Sequence, residues 1–205
     1  MLFKWWILGE GGFMKVRDSG MPDEEMRGKF FDPEKILKTL GMNGKTIDVA
    51  EFGCGYGTFT IPAAKMIKGK IFAIDIEPGM ISITKNKKKE AGLDNIVPIL
   101  RDFMADGSGL KDESVDYAML FNILHLENPV SLLLEAKRIL RKGGKVGIIH
   151  WTYDSTTPRG PAMEIRPKPE DCIKWAREAG FVEPVRSNLK PYHYGIVLTK
   201  KEDQR

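Results

Sequence analysis

Three glycines at alternate positions, Gly53, Gly55 and Gly57, stand directly behind an apolar run that ends in Glu51 and Phe52. Glycine serves where the backbone must take positive φ or let a ligand approach closely. A helix-like segment near 58–67 follows at once, and the free N–H groups of a helix's first turn favour an anion such as a carboxylate. A second apolar run, Ile71-Phe72-Ala73-Ile74, ends on Asp75, whose carboxylate can accept hydrogen bonds from ribose hydroxyls. Strand, glycine turn, helix, strand, acid is a nucleoside-binding half of a doubly wound sheet.

Further polar and aromatic residues fall at the ends of later predicted strands. Asp102-Phe103 follows the third, Phe121-Asn122-Ile123-Leu124-His125 the fourth, and His150-Trp151-Thr152-Tyr153 the fifth. Imidazole titrates near neutrality, so His125 and His150 are candidates for a general base, each in competition with a packing or hydrogen-bonding role. A loop over 154–168 follows, restrained by Pro158, Pro161 and Pro167 and carrying Arg159 and Arg166, which could bind an anionic substrate. No H-x-x-x-H or C-x-x-C spacing occurs, so no metal is expected. Cys172, Trp175, Ala176 and Ala179 share one helical face, which makes Cys172 a core residue rather than a nucleophile. Lys85, Lys87, Lys88 and Lys89 read as a solvated helix end.

Strand and helix alternate to position these residues. Strands are expected near 46–52, 70–75, 96–101, 115–121, 144–151, 182–188 and 193–199, and helices near 58–67, 79–91, 129–141 and 169–179. Asp32 caps an earlier helix that has Pro33 in its first turn, an Ile36/Leu37/Leu40 stripe and a stop at Gly41. Alternation implies a mostly parallel sheet with helices on both faces. The last two strands have only the turn around Lys190-Pro191 between them, so they form an antiparallel hairpin. Ligands of such sheets bind at the carboxyl ends of the strands, where the polar segments fall.

The motif Glu51-x-Gly53-x-Gly55-x-Gly57 resembles the first motif of class I S-adenosylmethionine (SAM)-dependent methyltransferases, and Asp75 resembles that family's ribose-binding acid. Arg101-Asp102-Phe103 resembles its adenine-contacting segment. Arg138 to Val146, with Arg141-Lys142-Gly143-Gly144, resembles the turn before its fifth strand, where Lys-Pro is usual in place of Arg141-Lys142. The closest group is that of the type 11 and ubiquinone/menaquinone-biosynthesis methyltransferases. The resemblance covers roughly residues 32–200 and implies a Rossmann-like α/β fold with a seven-stranded mixed sheet of order 3-2-1-4-5-7-6, strand 7 antiparallel. It implies SAM as cofactor, held by Glu51, Gly53, Cys54, Gly55, Thr58, Asp75, Ile76, Met80, Asp102, Phe103 and Asn122. Ile76 and Phe103 would pack on adenine and Asp102 would accept from its amino group. Trp151, Tyr153, Arg159 and Arg166 would meet the methyl acceptor, the aromatic faces steadying a sulfonium or a planar molecule. Residues 1–31 would form an extension with a lid-like helix, in which Met21, Phe30 and Phe31 close over the cofactor, and 201–205 a polar tail.

Composition narrows the function. The 205 residues suit one domain, with 42% apolar and 29% charged residues. A net charge of +4 is too weak to imply nucleic acid. The Asn/Asp-Pro-Pro-Tyr/Phe motif of nucleic-acid amino methylation is replaced by Asn122-Ile123-Leu124-His125. A small-molecule acceptor is therefore expected. Two distant cysteines suggest a reducing cytoplasm, and the apolar run within residues 1–13 is too short for a membrane span. A nicotinamide oxidoreductase would need glycine where Thr58 stands. A SAM-binding scaffold without turnover is the other alternative.

Overall fold

The computed structural model describes residues 32–201. The expected lid residues Met21, Phe30 and Phe31 lie outside that range, as do residues 202–205. Helix α1, Pro33–Thr39, is capped as its sequence predicts: the Asp32 side chain accepts from the Lys35 N–H, and Pro33 opens the first turn. The chain then alternates through β1 (Val49–Phe52), α2 (Thr60–Met66), β2 (Ile71–Asp75), α3 (Pro78–Glu90), β3 (Ile96–Leu100), α4 (Phe103–Asp106), β4 (Val115–Phe121), α5 (Pro129–Ile139), β5 (Leu140–Trp151), α6 (Pro169–Glu178), β6 (Phe181–Leu189) and β7 (His193–Lys200).

The seven strands form one sheet in the order β3-β2-β1-β4-β5-β7-β6. Pairings from β3 to β5 are parallel, whereas β7 runs antiparallel to both β5 and β6. Alternation along each strand divides the core. Ala50, Phe52, Ala118 and Leu120 enter the layer under α5 and α6, while Val49, Met119 and Tyr117 enter the layer under α1 and α2. All four β1 residues are buried, as a central parallel strand covered on both faces requires.

The amino ends of the central strands are locked by polar ties. Arg141 forks between Asp48 and Asp116, both at 2.9 Å, and the Tyr117 hydroxyl donates to the Leu40 carbonyl at 2.9 Å. The turn expected at Arg141 to Gly144 is instead the irregular start of β5. Pairing there jumps from Val115↔Leu140 to Tyr117↔Lys145, and Gly143 takes φ +69°. The polar segments noted in the sequence lie at the opposite, carboxyl end of the sheet.

Candidate active site

The glycine turn after β1 takes the backbone that its sequence demands: Gly53, Gly55 and Gly57 all have positive φ. Gly53 is also crowded, since a Cβ there would lie 2.9 Å from Ile123 Cδ1. The Gly53 and Cys54 N–H groups donate to the Ile74 carbonyl, which ties the turn to the end of β2. Asp75 receives the Gly55 N–H on Oδ2 at 2.8 Å and the Glu77 N–H on Oδ1 at 2.9 Å. Each carboxylate oxygen keeps a second lone pair for a ribose hydroxyl. Ile76 is exposed beside it, and Met80 is half-buried in the first turn of α3.

Three residues hold this turn, Thr60 and Thr84, which sequence reasoning passed over, and Lys87, which it read as solvated. Thr60, buried at the start of α2, donates its hydroxyl to Glu51 Oε2 at 2.5 Å. Thr84 donates to the Gly55 carbonyl at 3.4 Å, and Lys87 Nζ donates to the Tyr56 carbonyl at 2.9 Å. Lys87 therefore braces the turn instead of lying on a solvated face, and Lys88 likewise reaches the Ile96 carbonyl. A hydroxyl in a first helical turn was the available signal for Thr60. Thr84 and Lys87 offer none, because their partners are distant in sequence. Thr58 does not open the helix as expected: α2 starts at Thr60, and Thr58 lies half-buried in the preceding turn. Cys54 is buried against Thr84, and burial together with the Glu51 and Asp75 carboxylates pushes its thiol far above the ordinary range. It contributes backbone, not reactivity.

The adenine side departs from expectation at Phe103. Its ring is buried edge-on against Phe52, centroids 5.4 Å apart, and so has no open face for a base. The cause is α4: Asp102 caps that short helix, accepting the Met104 and Ala105 N–H groups on Oδ1 at 3.1 Å, and the cap turns Phe103 inward. Leu100, in register with Asp75, is the exposed apolar residue there, 55% accessible. Sequence reasoning missed it because it sits inside an apolar strand.

On the other side of the turn, Asn122 follows β4 at φ +54°, an uncommon conformation for a side-chain-bearing residue. Its Oδ1 is buried and, among the described residues, has no hydrogen-bond partner. His125 lies three residues on, with its Nδ1 3.3 Å from His150 Nε2. His150 Nδ1 in turn accepts the Trp151 backbone N–H at 3.0 Å. His125 Nε2 is buried and unpartnered among the described residues. Burial pulls the His125 imidazole down to about 4. His150 is also held well below the ordinary imidazole range, by burial first and then by His125, His193 and Arg166. Both rings are therefore neutral near pH 7. His150, expected as a catalytic residue, is fully enclosed with both nitrogens engaged, so neither nitrogen is free in this arrangement to serve as a base.

Two expected acceptor contacts are also occupied. Trp151 is buried with its ring 4.2 Å from that of His193, and a Cβ on Gly160 would strike it at 2.8 Å. Arg166 is buried too. Its guanidinium donates to the carbonyls of Pro161, Thr152 and Asp154 and to the Thr157 hydroxyl, so it organises the 154–168 loop from within rather than offering a fork to an anion. A loop full of carbonyls recruits the one side chain with five donors. Arg159 and Tyr153 remain exposed. Lys168 Nζ stands 4.6 Å over the Tyr153 ring, and both line a cavity of ≈ 510 Å³ between the start of α6 and the β6–β7 hairpin. Cys172 behaves as the core residue its helical face predicts, buried near the Tyr194 hydroxyl with its thiol pushed up to about 12. Among the described residues no group of three or more metal-ligating side chains forms a site, and no helix is long and apolar enough to cross a membrane.

Residues 49–144, from β1 into β5, match a family described as a methyltransferase domain. Aklanonic acid methyltransferase DauC of Streptomyces sp. (strain C5) is 34% identical over 101 residues, 48% of this chain and 45% of that protein. The mitochondrial 2-methoxy-6-polyprenyl-1,4-benzoquinol methylase of Arabidopsis thaliana is 30% identical over 132 residues, 60% of this chain and 45% of that protein. The chain thus spans less than half the length of both. The crystal structure of a SAM-dependent methyltransferase from Aquifex aeolicus superposes with a TM-score of 0.79 at 26% identity, covering 87% of this chain and 95% of that one.

Proposed function

We propose that this chain, which carries the class I SAM-dependent methyltransferase domain, binds SAM at the glycine turn and transfers its methyl group to a small organic acceptor. The observation that carries the reading is the turn itself: three positive-φ glycines closed onto Asp75, with Glu51 held by Thr60 on the opposite side. The residues fit the cofactor. Asp75 has lone pairs for ribose hydroxyls, Glu51 suits an ammonium end, and Ile76 and Leu100 offer apolar cover for adenine. The positive φ at Gly53, +73°, strains any side chain placed in the cradle.

When bound, SAM supplies an electrophilic methyl on a sulfonium, already a good leaving group. The protein's part is then alignment, which can lower a barrier by ~7–11 kcal/mol. Asn122 and His125, at the carboxyl end of β4, stand beside the turn with buried polar atoms that await partners. Tyr153 and Arg159 are the expected acceptor-side residues that remain exposed. Relatives named for aklanonic acid and for a benzoquinol support a small-molecule acceptor over a nucleic acid. Two buried free cysteines are in keeping with a reducing cytoplasm.

Calorimetric titration of ligand-stripped protein with SAM, S-adenosylhomocysteine and NADH tests the reading. Micromolar binding of the first two without an NADH signal is expected. NADH binding alone would make the chain an oxidoreductase. Silence from all three would favour a scaffold.

A further inference from the structure

The hydrogen bonds around the two histidines have a direction. A backbone N–H can only donate, so the Trp151 N–H makes His150 Nδ1 an acceptor and leaves the proton of that neutral ring on Nε2. His150 Nε2–H then donates across 3.3 Å to His125 Nδ1. His125 must in turn carry its proton on Nε2. That N–H is enclosed, only 6% of the residue being accessible, and has no partner among the described residues. A buried donor without a partner is costly unless a ligand completes it. Asn122 Oδ1 is orphaned in the same turn.

We propose that His125 is a fixed hydrogen-bond donor to the methyl acceptor, not a general base, and that the acceptor is a small molecule bearing a delocalised anionic oxygen, an enolate or a phenolate. The inference rests on the methyl-transfer reading. For a neutral His125 to present a bare Nε2 able to take a proton, the proton of each ring would first have to sit on Nδ1, and the His150 Nδ1–H would then confront the Trp151 N–H. Protonating the pair outright is opposed by burial, which holds both rings neutral. The acceptor must therefore arrive with its nucleophilic electron pair already free, as acidic enols and phenols do near neutral pH. A donor at the oxygen favours that anion. The acceptor's electron pair forms the bond to the methyl carbon, the carbon–sulfur pair returns to sulfur, the opposite charges cancel, and no proton passes through His125. His150 is a positioning residue that sets the tautomer.

Two measurements test this. The first is 15N–1H spectroscopy of the imidazoles in the protein saturated with S-adenosylhomocysteine. His125 should show its proton on Nε2 and keep it down to about pH 5, as a buried neutral ring does. A proton on Nδ1, or titration near pH 6.5, would overturn the proposal with no substrate in hand. The second is transfer of labelled methyl from SAM to a graded set of 1,3-dicarbonyl compounds and nitro- or halophenols. Transfer should rise with the anionic fraction of the compound. His125→Gln, which keeps a donor near Nε2, should stay within about threefold of the wild type, while His125→Leu should lose at least ~10-fold. SAM affinity should be unchanged in both. Equal losses in Gln and Leu variants would restore the base. Intact SAM binding with no transfer to any compound would refute this acceptor class while leaving the cofactor reading standing, and failure to bind SAM would refute that reading instead.

Discussion

Lowering the pH from about 7.5 to about 5 should weaken folding through the histidine pair, and the size of the effect follows from burial. His125 is held near 4 in the folded chain against an ordinary 6.5. Between those values the unfolded chain binds a proton that the folded ring refuses, so stability is full above pH 6.5 and falls as pH drops toward 4. At 1.36 kcal/mol per pH unit the whole gap is worth roughly 3 kcal/mol, and about 2 kcal/mol of it is lost by pH 5. His150, also lowered, adds to the loss with the same sign. Glu135 does not contribute in this window: it is pulled down to about 2 by its bonds to Arg138 and Ser108 and weakens folding only as pH falls below its ordinary 4.5. Urea unfolding at both pH values, for the wild type and for His125→Gln, measures the difference. The variant should lose about 2 kcal/mol less stability on acidification. Equal losses in the two proteins would refute the claim that His125 is buried neutral.

Other consequences concern single side chains. Asp75→Ala removes the acceptor that ties Gly55 to Glu77 and its lone pairs for ribose, and should weaken SAM binding at least ~10-fold by calorimetry. Phe103→Ala should cost about 3–5 kcal/mol in urea unfolding, the range for truncating a core aromatic, while SAM affinity changes far less; a large affinity loss with little destabilisation would return Phe103 to the adenine. Arg166→Met strips the 154–168 loop of its internal donors, and limited proteolysis should then cut that loop faster than in the wild type. Unchanged cleavage would mean that the prolines alone hold the loop.

The legible part of this protein in its sequence was whatever local chemistry compels. Gly53, Gly55 and Gly57 are where φ must be positive. Asp32 before Pro33 is a helix cap, and alternating apolar runs ending on Asp75 and Phe121 are strand ends at a ligand-binding edge. Strand order followed from resemblance, and the antiparallel last strand from the missing helix before β7. Tertiary structure decided which way side chains at that edge face. Phe103, Trp151 and Arg166 have the residue types of ligand contacts, yet an Asp102 cap, a Gly160 approach and a ring of loop carbonyls turned each of them inward. Thr60 and Thr84, unremarkable in sequence, and Lys87, expected on a solvated face, became the braces of the cofactor turn. His125 and His150 were visible as histidines, but their neutral state and their proton direction come from burial and from one backbone N–H at Trp151. Local sequence sets backbone conformation through sterics and hydrogen bonding within a few residues; orientation and protonation depend on partners that meet only when the sheet assembles.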